Sequence, residues 1–245
     1  MELRLTIDQG NTSVKMSVFD RKTLLKSWRE ERLTEENIRQ TLHGFPIVKA
    51  IYSSVTGTDS QRVDQLRDTL NFVCVLDEKL PIPITVDYAT PQSLGHDRIA
   101  AAVGALELLP GHNLLVVDAG TAVTYDFISA DRHFIGGNIA PGLNLRLQAL
   151  AKKCAQLPNV PAEGETPLLG YDTTTAIRSG AVIGIAAEIN DMARRLALRP
   201  KNIEIVLTGG DCNLIAPHID IKDIHKNSDL VAIGLNRILE HNEIL

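Results

Sequence analysis

Two stretches of this chain, 110 positions apart, follow one plan. At 3–20 the sequence reads "LRLTIDQGNTSVKMSVFD", and at 113–129 it reads "NLLVVDAGTAVTYDFIS". Each has a β-rich apolar run, an Asp-x-Gly turn rich in Thr or Asn, and a second alternating strand. A hairpin needs only a turn, and Gly, Asn and Asp are ordinary turn formers. The first copy carries more than that: Asp8, Gly10, Asn11, Thr12, Ser13 and then Lys15. Two such hairpins, one opening each half, predict two related domains, residues 1–111 and 112–245, facing across a cleft. Chance likeness of a short motif is the competing explanation.

The coarse pattern supports duplication. In the first half strands are expected at 3–8, 14–20 and 24–30, then a helix over "TEENIRQTLHGF" with Thr34 as N-cap and Gly44 past its end. A strand at 48–55, a helix at 59–70 and a strand at 72–76 follow. In the second half strands at 114–118, 123–129 and 132–136 precede a helix opening at Pro141. A long helix is expected at 173–197, a strand over 203–210 and a last helix at 228–240. The class is α/β. Between the halves, "LDEKLPIPITVDYATPQSLGHDR" has three prolines among Tyr, Asp, His and Arg. That mixture suits a functional loop better than a linker.

Bulk properties exclude several functions. Net charge is −5, so no basic footprint for nucleic acid exists. No apolar run approaches the ~18 residues of a membrane helix. "MELRLTIDQG" lacks the regions of a secretory leader. The three cysteines are far apart and odd in number, which fits reduced, mostly buried thiols in a cytoplasmic protein.

"DQGNTSVK" has neither the glycine spacing nor the following helix of a Walker loop or a dinucleotide fingerprint. It suits a strand–turn–strand phosphate loop, with donors at Asn11 and Thr12, Lys15 as a point charge and Asp8 left for Mg²⁺ through water. "GHDR" (95–98) opens a helix whose buried stripe would be Ile99, Ala102, Val103 and Leu106. Asp97 as a first-turn acid and Arg98 as a surface charge is its simplest explanation. In a cleft, Asp97 becomes a general base and Arg98 a donor to substrate, with His96 facing solvent. "FIGGNIAPGL" and "LTGGD" are turn glycines or places where backbone approaches a ligand, the second suiting a flat adenine. Asp172 or Thr173 is a helix cap or a ligand contact. Met16, Trp28 and Met192 read as packing.

Taken together, Asp8-x-Gly10-Asn11-Thr12-x-x-Lys15, Gly95-x-Asp97-Arg98, Asp118-x-Gly120-Thr121-Ala122, Gly136-Gly137 with Pro141-Gly142, and Thr208-Gly209-Gly210 resemble the type III pantothenate kinases. These belong to the acetate kinase, sugar kinase, Hsp70 and actin superfamily. The resemblance implies two duplicated ribonuclease H-like domains of the actin-like ATPase fold. It implies transfer of phosphoryl from ATP to pantothenate, the first step of coenzyme A synthesis. Asp8, Gln9, Gly10, Asn11, Thr12, Ser13, Val14 and Lys15, with Thr121, would hold ATP. Tyr88, Gly95, His96, Asp97 and Arg98 would hold pantothenate, with Asp97 as proton acceptor. Thr173, favoured over Thr174 and Thr175 by its spacing to Ala176, would reach pantothenate across a homodimer interface. Asp118 would bind a monovalent cation, potassium or ammonium, and Mg²⁺ would arrive with ATP. Two alternatives stay open: a superfamily relative acting on another small molecule, and a non-catalytic relative used in regulation.

Overall fold

A computed structural model describes residues 2–197 and 203–243. The chain forms two units: Met1–Pro110 with Arg132–Phe134 and Asp229–Leu245, and Gly111–Asp131 with Ile135–Ser228.

In the first unit β1 (Leu3–Gln9), β2 (Val14–Asp20), β3 (Thr23–Glu30), β4 (Ile47–Ser54) and β5 (Phe72–Val75) form a sheet of order β3-β2-β1-β4-β5. β1, β2 and β3 run antiparallel, while β4 pairs in parallel with both β1 and β5. Alternation decides which residues share a face. Leu3, Leu5, Ile7, Val14 and Met16 enter a core with Ile38 of α1 (Glu35–Gly44) and Val63 and Leu66 of α2 (Ser60–Thr69). Thr34 caps α1 in a reciprocal pair with Asn37, and the Asp59 carboxylate caps α2. Gly44 is the last residue of α1 rather than the one beyond it; the amide of Phe45 closes the helix on the Thr41 carbonyl.

The expected stripe on α3 (His96–Leu108) is replaced by burial of every residue from Arg98 to Leu106. The cause is α7 (Leu230–Glu243). A Cβ on Gly104 would strike the Leu230 carbonyl oxygen, and one on Gly234 would strike the Ala100 carbonyl oxygen. The two helices therefore touch backbone to backbone. This contact draws the last helix into the first unit, against the expected 1–111 and 112–245 division.

The proline-rich stretch is ordered. β6 (Thr85–Val86) pairs with His133 and Phe134, Arg132 Nε donates to the Pro83 carbonyl at 2.8 Å, and His133 contacts Asp87 at 2.9 Å.

In the second unit, β7 (Asn113–Ala119) and β8 (Ala122–Ile128) are antiparallel, followed by β9 (His133–Pro141), which belongs to this unit from Ile135 onward, β10 (Ile203–Thr208) and β11 (Ile224–Lys226). The order β11-β10-β7-β8-β9 repeats, strand for strand, the β5-β4-β1-β2-β3 order of the first sheet. The duplication is real at the level of topology. Pro141 ends β9, and α4 (Leu143–Lys153) begins only after Gly142. On α5 (Thr173–Ala197), Ile177, Val182, Ile185 and Ile189 fill the core of this unit. A short helix, α6 (Cys212–Ile215), completes it.

The α3–α7 contact generates a stability prediction. Overpacking a close contact costs about 1–3 kcal/mol or more, and at this chain length each kcal/mol moves Tm by about 2–4 °C. Gly234→Leu is expected to lower Tm by about 2–12 °C in calorimetry. An unchanged Tm would mean the helices have room to separate.

Candidate active site

The first hairpin places Asp8 directly opposite Lys15 on β2 and beside Ser53 on β4. Lys15 in turn faces Arg29 on β3. One row across the sheet therefore reads Arg29, Lys15, Asp8, Ser53. The turn closes where the Gly10 amide donates to the Ser13 carbonyl at 3.0 Å, leaving Asn11 and Thr12 exposed at the tip. Ser13 Oγ accepts from Arg29 at 3.3 Å. Two members of the expected phosphate loop have other tasks. Val14 is buried in the core, and Gln9 is braced by Tyr52, whose hydroxyl donates to Oε1 at 2.7 Å.

Asp229 was not apparent from sequence patterning. Its carboxylate meets Lys15 Nζ at 2.9 Å, and its carbonyl accepts the Ile233 amide at 2.9 Å in the first turn of α7. Ser53 is fully buried, and its hydroxyl finds no hydrogen-bond partner among the described residues.

The "GHDR" stretch lies in the same unit. Asp97 Oδ1 accepts from the Arg98 amide at 2.9 Å, folded against the N-terminus of α3 where the helix dipole favours an anion. A Cβ at Gly95 would occupy the place of that carboxylate, so glycine leaves Asp97 its position. His96 Nδ1 lies 3.3 Å from the Ser54 carbonyl rather than facing open solvent. The surface-charge reading of Arg98 is overturned. Its side chain is buried, with the guanidinium carbon 5.8 Å from the Tyr88 ring centre and 5.6 Å from that of Phe134. Tyr88 and Phe134 meet edge to face at 6.2 Å. Arg98 thus meets Tyr88 directly and gains in Phe134 a second aromatic partner that no motif marked. A pocket of about 450 Å³ opens beside this helix start, lined by Val55, Lys79, Gln92, Ser93, Gly95 and His96 among others.

In the second unit Asp118 lies opposite Thr124, so the position held by a lysine in the first hairpin is uncharged here. The turn closes through the Gly120 amide and Ala122 carbonyl at 3.0 Å, with Thr121 exposed. Gly142 donates to the Thr121 carbonyl at 3.1 Å, and the Asp211 amide donates to the Ala119 carbonyl at 3.0 Å. A Cβ on Gly142 would strike the Gly120 and Thr121 carbonyls, and one on Gly209, at φ +97°, would strike Ala119. Gly142 and Gly209 thus pack against their own chain's turn, as the turn alternative for "APGL" and "LTGGD" expects. Gly210 and Gly136 have open space at the Cβ position. Burial, with the charge of Glu163, pushes the Asp211 carboxyl up.

Asp172 caps α5, its Oδ1 accepting from the Thr175 amide at 2.7 Å and from the Thr175 hydroxyl at 2.8 Å. Thr175 is consumed by that cap, whereas Thr173 is exposed on an apolar pocket of about 830 Å³ with Leu145, Leu150 and Ile177. Nearby, Arg146 makes a two-pronged contact with Glu188 at 2.8 and 2.7 Å, and the Tyr125 hydroxyl donates to Glu188 at 2.6 Å. Burial and that carboxylate push the Tyr125 hydroxyl upward. Burial alone would raise Glu188, but Arg146 and Tyr125 outweigh it and hold the carboxyl below its usual range. Nothing in the local sequence signals this trio, because its members come from three elements.

Comparison with known proteins agrees with the motifs. A family model described as type III pantothenate kinase matches residues 4–195. The chain is 38% identical over 244 residues to a type III pantothenate kinase of Phocaeicola vulgatus, covering 99% of this chain and 100% of that one. It is 36% identical over 240 residues to the one from Cytophaga hutchinsonii, with 98% and 100% covered. Among solved structures, a Baf family transcriptional activator of Campylobacter jejuni superposes with TM-score 0.63 at 25% identity, over 98% of this chain and all of that one. A ROK hexokinase of Thermus thermophilus shares the fold at TM-score 0.55 and 13% identity, over 99% of this chain and 100% of its own.

Proposed function

The chain belongs to the type III pantothenate kinase family, and from that premise we propose that it transfers the γ-phosphoryl group of ATP to the 4′-hydroxyl of pantothenate, opening coenzyme A synthesis. One observation carries the assignment: Asp97 and the buried Arg98 stand together at the start of α3, in the unit that also holds the Asp8–Lys15 hairpin. Phosphoryl transfer asks a protein chiefly to position groups and to neutralise charge. Asp97 accepts the hydroxyl proton as the hydroxyl oxygen attacks phosphorus and the bond to ADP breaks. Lys15 and the donors of the Gly10–Ser13 turn offset the phosphate charge. Arg98, steadied against Tyr88, supplies the donors for the pantothenate carboxylate.

Mg²⁺ would enter with the nucleotide. Among the described residues no cluster of three or more acidic, His or Cys side chains could cage a metal. Mg²⁺ ordinarily keeps waters and phosphate oxygens with one or two carboxylates, and Asp8 suits that task. At Asp118 the donor set is a carboxylate beside turn carbonyls with no lysine in register, which fits a monovalent cation. A bound potassium or ammonium ion would supply there the positive charge that Lys15 supplies in the first hairpin.

The exposed surface of the second unit supports assembly as a homodimer. On α5, Ile177, Ile185 and Ile189 are spent on the core of the second unit. In their place Leu168, Leu169 and Tyr171 are 81%, 83% and 70% exposed. Exposed apolar groups of this density mark an interface, and a two-fold dimer is the commonest closed assembly. Such pairing would cover the pocket on which Thr173 sits. The thiols are free, Cys74 and Cys212 buried and Cys154 exposed, as suits work in the cytoplasm.

Three measurements test these assignments. ADP release against pantothenate, hexoses, acetate and glycerol should show turnover of pantothenate alone. In the same assay Asp97→Asn should lose at least about a hundredfold in kcat, since general-base catalysis contributes about 10² to 10⁴. Turnover of a sugar instead, or a fully active Asp97→Asn, overturns the assignment. Replacing potassium or ammonium with sodium or Tris should remove most activity, and equal rates in all four would dismiss the cation at Asp118. Light scattering should give a dimer for the parent chain and a monomer for Leu168→Asp/Leu169→Asp; a parent monomer at micromolar concentration refutes the dimer.

A further inference from the structure

Lysine is a flexible point charge on a four-carbon stem, and fixing it costs rotamer entropy. A lysine that must meet a phosphoryl group in a loose transition state therefore gains from being held before the substrate arrives. Here Lys15 is held. Its Nζ lies 2.9 Å from Asp229 Oδ1, with the lysine side chain 12% and the aspartate side chain 24% exposed. Both ends of the pair are anchored. Lys15 is bonded into β2 opposite Asp8, with Arg29 as its other register neighbour. Asp229 is fixed by its carbonyl, which accepts Ile233 N in the first turn of α7, and α7 is locked against α3 at Gly104 and Gly234.

We infer that Asp229 is a positioning residue for the phosphoryl transfer, orienting the Lys15 ammonium from the first turn of α7. The inference rests on the reading of the first hairpin as the ATP phosphate site. Asp229 acts through Lys15 and need not touch either substrate. It also takes up part of the lysine's charge in the empty site. Removing the carboxylate therefore has two opposed effects on nucleotide binding: the ammonium becomes less ordered, and the site becomes more positive. Those effects offset one another in the ground state. In the transition state they do not, because there a misplaced charge is a direct loss, and displacement of about 1 Å can cost up to 10²-fold.

The test is a double-mutant cycle on the full-length enzyme, with ATP, Mg²⁺ and pantothenate as probes. Asp229→Asn is the informative change, because Asn caps a helix about as well as Asp and the start of α7 is preserved. We expect Asp229→Asn to lower kcat by about 10- to 100-fold, with the KM for pantothenate and the Tm near those of the parent. We expect Lys15→Met to lower kcat/KM for ATP by a similar or larger factor. On the Lys15→Met background, Asp229→Asn should then change kcat by no more than about twofold, since the group it orients is gone. Full effects that simply multiply would show that Asp229 acts by another route, and an unchanged kcat in Asp229→Asn would equally overturn the inference while leaving the hairpin assignment standing. Should Lys15→Met itself keep full activity with ATP, the hairpin assignment fails and the inference fails with it.

Discussion

The glycine contact between α3 and α7 is the constraint on which the first unit depends. Without side chains at Gly104 and Gly234, two helix backbones settle against each other and against one face of the sheet. That face is the one bearing Arg4, Asp8 and Lys15, since Leu3, Leu5 and Ile7 point into the opposite core. Arg4 reaches Glu243 near the end of α7, and Lys15 reaches Asp229 at its start. The start of α3 is likewise brought to the ends of the strands, where His96 meets the carbonyl of Ser54. A helix far away in sequence thus reaches the hairpin that begins the candidate site at residue 8.

The second unit repeats the sheet but solves a different electrostatic problem. Its hairpin has Asp118 opposite Thr124, whereas the first has Asp8 opposite Lys15. The turn itself is gripped by Gly142 and Gly209, which bring the chain after β9 and β10 onto its carbonyls. One sheet order occurs twice, and a difference at one register position separates a hairpin with a built-in cation from one without.

Much of this was legible in the residues. Period-two alternation marked β1, β2, β7 and β8, and Thr34 marked the start of α1, because alternation and capping are local effects. The Asp97–Arg98 pair was visible as a motif. Its physical state was not, since burial of Arg98 depends on Phe134, some 36 residues further along, being paired into β6 beside Tyr88. Which isoleucines of α5 face inward was also not legible, since Ile177, Ile185 and Ile189 fill a core built from several other segments of the second unit.

Sequence by itself determined the duplicated hairpins, the chemistry of the two turns and the family. These rest on local patterns: apolar periodicity, glycine and carboxylate spacing, and caps. Tertiary structure alone decided that α7 closes the first unit, that Asp229 holds Lys15, and that the glycines at 142 and 209 brace a turn. Each of those is a contact between segments more than twenty residues apart, made by backbone fit or by a single ion pair, and neither leaves a periodic trace in the chain.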